Sequence, residues 1–175
     1  MLRILKNFTL NLLACLATFS CQSVDQANSY ADPPEELMPL SWMIGDWEDD
    51  EGDINVTYSW KWDLDKSFMV QSFTLKDQDD NPLSGRQILG WDPNEQIIRS
   101  WIFDSDGGFG ESEWNYDEGT WYVNTVYTDG DGEKGSATQI YKLIDEKTLE
   151  YSQNSADMGG QFIPNEGPYK FVRKR

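Results

Sequence analysis

The stretch GWDPNEQIIRSWIFDSDGGFGESEW, Gly90–Trp114, decides the fold. Two turn signals divide it. Asp92-Pro93-Asn94-Glu95 sets proline early in a turn, and Asp104-Ser105-Asp106-Gly107 is a run of turn-forming residues. The segments around them are rich in aromatic and β-branched residues, which suit a pleated surface. The stretch therefore reads as three consecutive antiparallel strands joined by tight turns. With even-length loops, Trp91 falls opposite Gln96 and Phe103 opposite Gly108. Period-two alternation then defines two faces. One carries Arg86, Ile88, Ile97, Arg99, Trp101, Phe103, Gly108, Gly110, Ser112 and Trp114. The other carries Gln87, Leu89, Trp91, Ile98, Ser100, Ile102, Phe109, Glu111 and Glu113. On the first face Trp101 sits opposite Gly110, and Arg86 opposite Trp101.

The same pattern continues outward in both directions. Glu35–Leu40 reads as a short helical turn ending near Pro39, and Gly45-Asp46-Trp47 opens the first strand. Asn55–Trp62 alternates, with Val56, Tyr58, Trp60 and Trp62 on one face. Further strands are expected over Ser67–Lys76, Leu83–Trp91, Gln96–Asp104, Gly107–Trp114, Thr120–Tyr127, Lys134–Leu143, Thr148–Asn154 and Tyr169–Lys174. Ser155–Pro168 reads as a longer loop. About ten closely spaced strands with almost no helix imply an all-β fold. Successive hairpins make a single up-and-down antiparallel barrel the simplest topology, since closure removes exposed edges.

The 175 residues suit one domain with a short leader. Only 38% are hydrophobic, but eight each of Trp, Tyr and Phe supply large buried areas. The formal charge is −17, which repels nucleic acid and anionic headgroups. There is no histidine, so a Ser–His–Asp triad, a histidine base and histidine-ligated haem or zinc are all excluded. Both cysteines, Cys15 and Cys21, lie in the leader, so the domain has no thiol nucleophile or disulfide.

Residues 1–21 read as a lipoprotein-type signal peptide. Arg3 and Lys6 precede an apolar run, Phe8–Phe19, too short to span a bilayer comfortably. Lipidation at Cys21, after Ser20, is the favoured ending. Cys15 after Leu12-Leu13-Ala14 and plain cleavage after Ala31 are the alternatives. Residues 22–34 form a flexible linker, and 35–175 the barrel domain. The chain is thus expected to be exported to a bacterial cell envelope, periplasm or exterior, touching membrane only through an N-terminal lipid anchor.

Gly45-Asp46-Trp47 after a short helix, followed by a ten-strand meander, resembles the calycin superfamily of lipocalins and fatty-acid-binding-type barrels. The resemblance implies that Trp47 closes the barrel base under a basic residue of the last strand, Lys170 or Arg173. Leu40–Asp50, Gly90-Trp91-Asp92-Pro93, Arg99–Gly110 and Gly135-Ser136-Ala137-Thr138 look like a bacterial lipocalin-like domain of unknown function. That domain often follows a SnoaL-like domain, which this sequence lacks, so no catalytic label of that half carries over. Nitrobindin-type barrels share the opening motif but hold haem through histidine, which is absent here.

Arg86, Arg99, Trp101, Phe103 and Trp114 are the candidate ligand-binding residues. If their face lines the barrel, the arginines form a cationic floor for the carboxylate or phosphate end of an amphipathic ligand. If it faces out, Arg86 stacks on Trp101 as a surface cation–π pair. Glu111 and Glu113 share the other face; such a pair can serve acid–base chemistry, but adjacent surface carboxylates are more often simply solvated. The acidic loops Asp77–Asn81, Asp104–Gly107 and Asp129–Glu133 are turn formers and do not match an EF-hand. No catalytic residue, metal site or cofactor is implied. The reading is a barrel that binds a small, partly apolar, amphipathic ligand. The alternatives are a structural or partner-binding envelope protein with a filled barrel and, less favoured, a carboxylate-dependent enzyme. Ligand identity and oligomeric state are not legible.

Overall fold

A computed structural model describes residues 32–49, 55–76 and 82–174. Residues 1–21, read above as a signal peptide with Cys21 as its lipidation site, most of the expected linker and the acidic segment Asp77–Asn81 lie outside the described residues. The strands are β1 (Gly45–Asp49), β2 (Asn55–Asp63), β3 (Phe68–Lys76), β4 (Pro82–Asp92), β5 (Ile97–Asp104), β6 (Phe109–Asp117), β7 (Thr120–Thr128), β8 (Lys134–Asp145), β9 (Thr148–Met158), β10 (Gln161–Ile163) and β11 (Glu166–Arg173). Each of β1 to β8 pairs antiparallel with the next, and the other edge of β1 takes β11, which in turn pairs with β9. Together these pairings close the sheet into a ten-stranded antiparallel barrel. β10 is an extra strand on β9, at Ala156–Met158. It falls inside the Ser155–Pro168 segment expected to be loop. That segment's Gly159-Gly160 pair, both at positive φ, makes a tight turn that folds Gln161–Ile163 back onto the end of β9.

Alternation sorts the side chains. In β7, Trp121, Val123 and Thr125 are buried while Tyr122, Asn124 and Val126 are exposed. In β2, Tyr58 and Trp60 point inward on the same face as Val56 and Trp62, as the sequence pattern implies.

The N-terminal helical turn extends past Pro39. It is a 3-10 helix, Glu35–Met43, with Pro39 inside it. The spacing explains its length. A 3-10 helix has three residues per turn, so Leu37, Leu40 and Met43 form one stripe. All three are fully buried, in one cluster with Trp47, Trp60, Met69, Leu89 and Leu149. This cluster plugs one end of the barrel.

Arg173 locks the plug. Its guanidinium lies 4.2 Å from the Trp47 ring centroid. Nη2 donates to the Trp42 carbonyl at 2.7 Å, Nη1 to the Ile44 carbonyl, and Nε to the Glu146 carbonyl at 3.1 Å. Of the two basic residues named for this place, Arg173 takes it and Lys170 is exposed. A planar fork of donors can serve three carbonyls while stacking on indole; an ammonium cannot. Gly45 makes room for it. Its φ is +125°, and a Cβ there would run into Arg173 Nη1. Gly45→Ala is therefore expected to cost about 1–3 kcal/mol, the range for a side chain forced into such backbone. The urea midpoint of the variant would fall accordingly.

The central hairpins keep their strands but not all their pairing. β4 and β5 are joined by a four-residue loop, Pro93–Gln96, with Gln96 at φ +57°, so Trp91 faces Ile98 rather than Gln96. That is a two-residue shift, which preserves the faces. Arg86 consequently faces Phe103, and Trp101 faces Ile88. The next loop is odd. Asp104 accepts the amides of Asp106 and Gly108, both at 2.9 Å, and Gly107 takes φ +90°. Phe103 therefore pairs with Phe109, and Trp101 with Glu111 rather than Gly110. A one-residue slip exchanges every side chain of β6 between faces. Ser112 and Trp114 turn inward, and Glu111 and Glu113 turn outward.

Candidate functional site: the barrel cavity

Above the plug the barrel holds a cavity of about 560 Å³. Its aromatic wall comes from Tyr58, Phe73, Tyr141, Tyr151, Tyr169 and Phe171. Its polar groups are Gln71, Gln87, Gln139 and Gln153, with Ser112 and Thr125. Asp49 and Glu166 contribute carboxylates, and no lysine or arginine lines it among the described residues. All of these except Glu166 lie in the inward phase of their strands by simple alternation; Glu166 joins them through the register shift between Glu166 and Tyr169.

Hydrogen bonds hold the polar lining. Ser100, fully buried, accepts from Gln87 Nε2 at 2.7 Å and from Trp114 Nε1 at 2.8 Å. On the neighbouring strands β7 and β8, Thr125 donates to Gln139 Oε1 at 2.6 Å. The single Thr125 proton is thereby committed, so Ser112, 2.7 Å away, donates to Thr125. The Tyr58 hydroxyl is different. Tyr58 is 8% exposed, and its hydroxyl is buried without a partner. An unsatisfied buried hydroxyl is costly and rare, and this one is closed off from the cavity as well as from solvent.

The aromatic rings form a continuous set. Tyr58 and Phe171 are 5.0 Å apart between centroids, Tyr151 and Phe171 6.3 Å, and Tyr141 and Tyr151 5.1 Å. Burial pushes the phenols of Tyr58, Tyr141 and Tyr151 well above their ordinary value of 10.0. A group whose folded pKa is raised contributes stability that is intact below its unfolded pKa and lost as pH rises toward the folded value. Stability is therefore expected to be flat with respect to these three groups below about pH 10 and to fall above it. Urea midpoints measured from pH 9 upward would show the decline, and Tyr141→Phe would make it shallower.

The structure divides the five candidate residues. Arg86, Trp101 and Phe103 are exposed on the outer face. Arg99 is also outside, held by Asp92 at 3.2 Å and Glu113 at 3.6 Å. Trp114 is inside, 4% exposed, packed on Trp60, Trp121 and Tyr141 beneath the cavity. The arginines thus make no cationic floor to the barrel. The cation–π contact among the described residues is Arg173 on Trp47, not Arg86 on Trp101. Glu111 and Glu113 edge a second pocket, of about 540 Å³, together with Arg99, Asn124 and Thr138. Asp129 accepts the amides of Asp131 at 3.0 Å and Glu133 at 2.8 Å, and Asp104 caps its own loop similarly, so both described acidic loops are built as turns.

The cavity glutamines carried a signal in the sequence. Gln71 stands between Met69 and Phe73, Gln87 two before Leu89, Gln139 two before Tyr141, and Gln153 two after Tyr151. Each puts an amide into the apolar phase of a strand. A polar side chain in that phase is an internal one, and four of them from strands spread around the barrel converge.

No family model matches the sequence, and a search of curated proteins finds no match.

Proposed function

We propose that this protein binds a small, partly apolar molecule inside the barrel, as an exported, lipid-anchored protein of a bacterial envelope. The observation that carries the reading is the cavity of about 560 Å³, with a largely aromatic wall and four glutamine amides. Ligand pockets have volumes of about 300–1,000 Å³, mostly apolar walls and a few fixed polar groups. A barrel filled only for stability would spend those inward positions on side chains that close the space. The lipocalin-like resemblance is supported by the Arg173–Trp47 arrangement at the closed end. The envelope address rests on residues 1–21 and on Cys21 as the anchor.

The test is native mass spectrometry of the protein purified from its own host. The expected result is a retained small molecule, released on denaturation. Ligand-free protein that also fails to take up apolar fluorescent probes would overturn the reading. Cys21→Ala is expected to move the protein from the membrane fraction to the soluble one; an unchanged distribution would remove the anchor.

A further inference from the structure

We infer that the cavity selects an uncharged ligand whose polar edge both donates and accepts hydrogen bonds, as a carboxamide or lactam does, an inference that rests on the cavity-binding reading above. The observation that carries it is a belt of neutral polar side chains running strand by strand from β3 to β9. Gln71 on β3 pairs with Gln87 on β4. Gln87 Nε2 donates to Ser100 on β5, and Ser100 pairs with Ser112 on β6. Ser112 donates to Thr125 on β7, and Thr125 donates to Gln139 on β8. Gln139 pairs with Gln153 on β9. In the closed order β3 and β4 stand opposite β8 and β9, so the two glutamine pairs approach the cavity from opposite walls.

The belt leaves both kinds of hydrogen-bonding group open to a ligand. Gln71 is 7% exposed, lines the cavity and has no hydrogen-bond partner among the described residues. Its amide is not sealed off as the Tyr58 hydroxyl is. It therefore presents a carbonyl and an amino group together. Gln87 commits an N–H to Ser100 and keeps its carbonyl, whereas Gln139 commits its carbonyl to Thr125 and keeps its N–H groups. A carboxylate head can only accept, so it would leave the carbonyls unmatched; an ammonium can only donate, so it would leave the N–H groups unmatched. An amide edge serves both. Charge points the same way. No lysine or arginine lines the cavity among the described residues, Asp49 is already engaged, and Glu166 is exposed. An ionic head at the belt would lose its hydration with no opposite charge beside it to offset the loss. Val56, Phe73, Leu75 and Ile102 take the apolar body.

Four probes with matched chains isolate the head group: octanamide, N,N-dimethyloctanamide, octanoate and octylammonium, titrated calorimetrically at pH 7 into the whole protein. The dimethyl compound keeps the carbonyl and loses both N–H groups. Octanamide is expected to bind about ten-fold or more tighter than each of the others. Gln71→Leu keeps the bulk of the side chain and removes its amide, and should cut that preference to about three-fold or less. Gln153→Leu does the same from the opposite wall and decides the matter if the first variant fails to fold, which circular dichroism reports. Any of the other three probes binding as tightly as octanamide overturns the amide selection and leaves the cavity-binding reading intact. A preference unchanged in a folded variant overturns it too, since the belt then does not read the head group. Binding of none of the four also overturns it; if an apolar fluorescent dye likewise fails to enter, the cavity-binding reading falls with it.

Discussion

Trp47→Ala is expected to lower unfolding free energy by about 3–5 kcal/mol, the range for truncating a buried aromatic side chain. Trp47 is fully buried and is held on every side. Its Nε1 donates to the Met43 carbonyl at 2.8 Å, Trp42 meets it edge-on, Tyr58 stacks against it, and Arg173 covers its face. Truncation opens a cavity in the plug and strips the guanidinium of its aromatic partner. The 3-10 helix would lose the hydrogen bond that Trp47 donates to its last carbonyl, that of Met43. Trp101→Ala is the matched control. It removes the same side chain from the outer face, where Trp101 is 37% exposed, and should cost no more than about 1 kcal/mol. Chemical denaturation of both variants decides the matter: equal losses would mean that the two faces of the sheet are assigned wrongly.

Ser100→Ala should be nearly as damaging despite its size. The hydroxyl accepts two hydrogen bonds, from Gln87 and Trp114, in a place that solvent does not reach. Removing the oxygen leaves two buried donors without partners, at about 1–3 kcal/mol each. A loss of about 2–5 kcal/mol is expected, against near neutrality for an exposed serine. The double variant Ser100→Ala with Gln87→Leu should recover part of it, because one orphaned donor disappears. A loss in the single variant below about 0.5 kcal/mol would show that the donors find other partners. The bond matters to the site as well, since Gln87 lines the cavity and Ser100 orients its amide.

These two predictions rest on different depths of reading. Trp47 was legible through the resemblance to calycin barrels, which implies a tryptophan at the closed base covered by Lys170 or Arg173; the structure shows that Arg173 is the cover. Ser100 was on the page only as a member of a face. Its importance depends on Gln87 and Trp114 arriving from two neighbouring strands, and Trp114 arrives only because the Asp104–Gly108 loop is odd. The cavity residues were half legible. Tyr58 was placed on an inward face by alternation, but nothing in one strand shows that its hydroxyl stands alone.

The sequence by itself determined the ten strands of the barrel, though not the extra strand β10, the meander order and the exclusion of histidine and thiol chemistry, because alternation, turn residues and composition are local properties. Tertiary structure alone decided which face of the Gly90–Trp114 stretch lines the barrel. A turn of even or odd length differs by one residue, and that residue is set by whether Asp104 caps its own loop and Gly107 adopts positive φ. The outcome sent Arg86, Arg99, Trp101 and Phe103 outside and Trp114 inside. Closure of the sheet then gathered glutamines and tyrosines from strands far apart in sequence around one space, which no local pattern encodes.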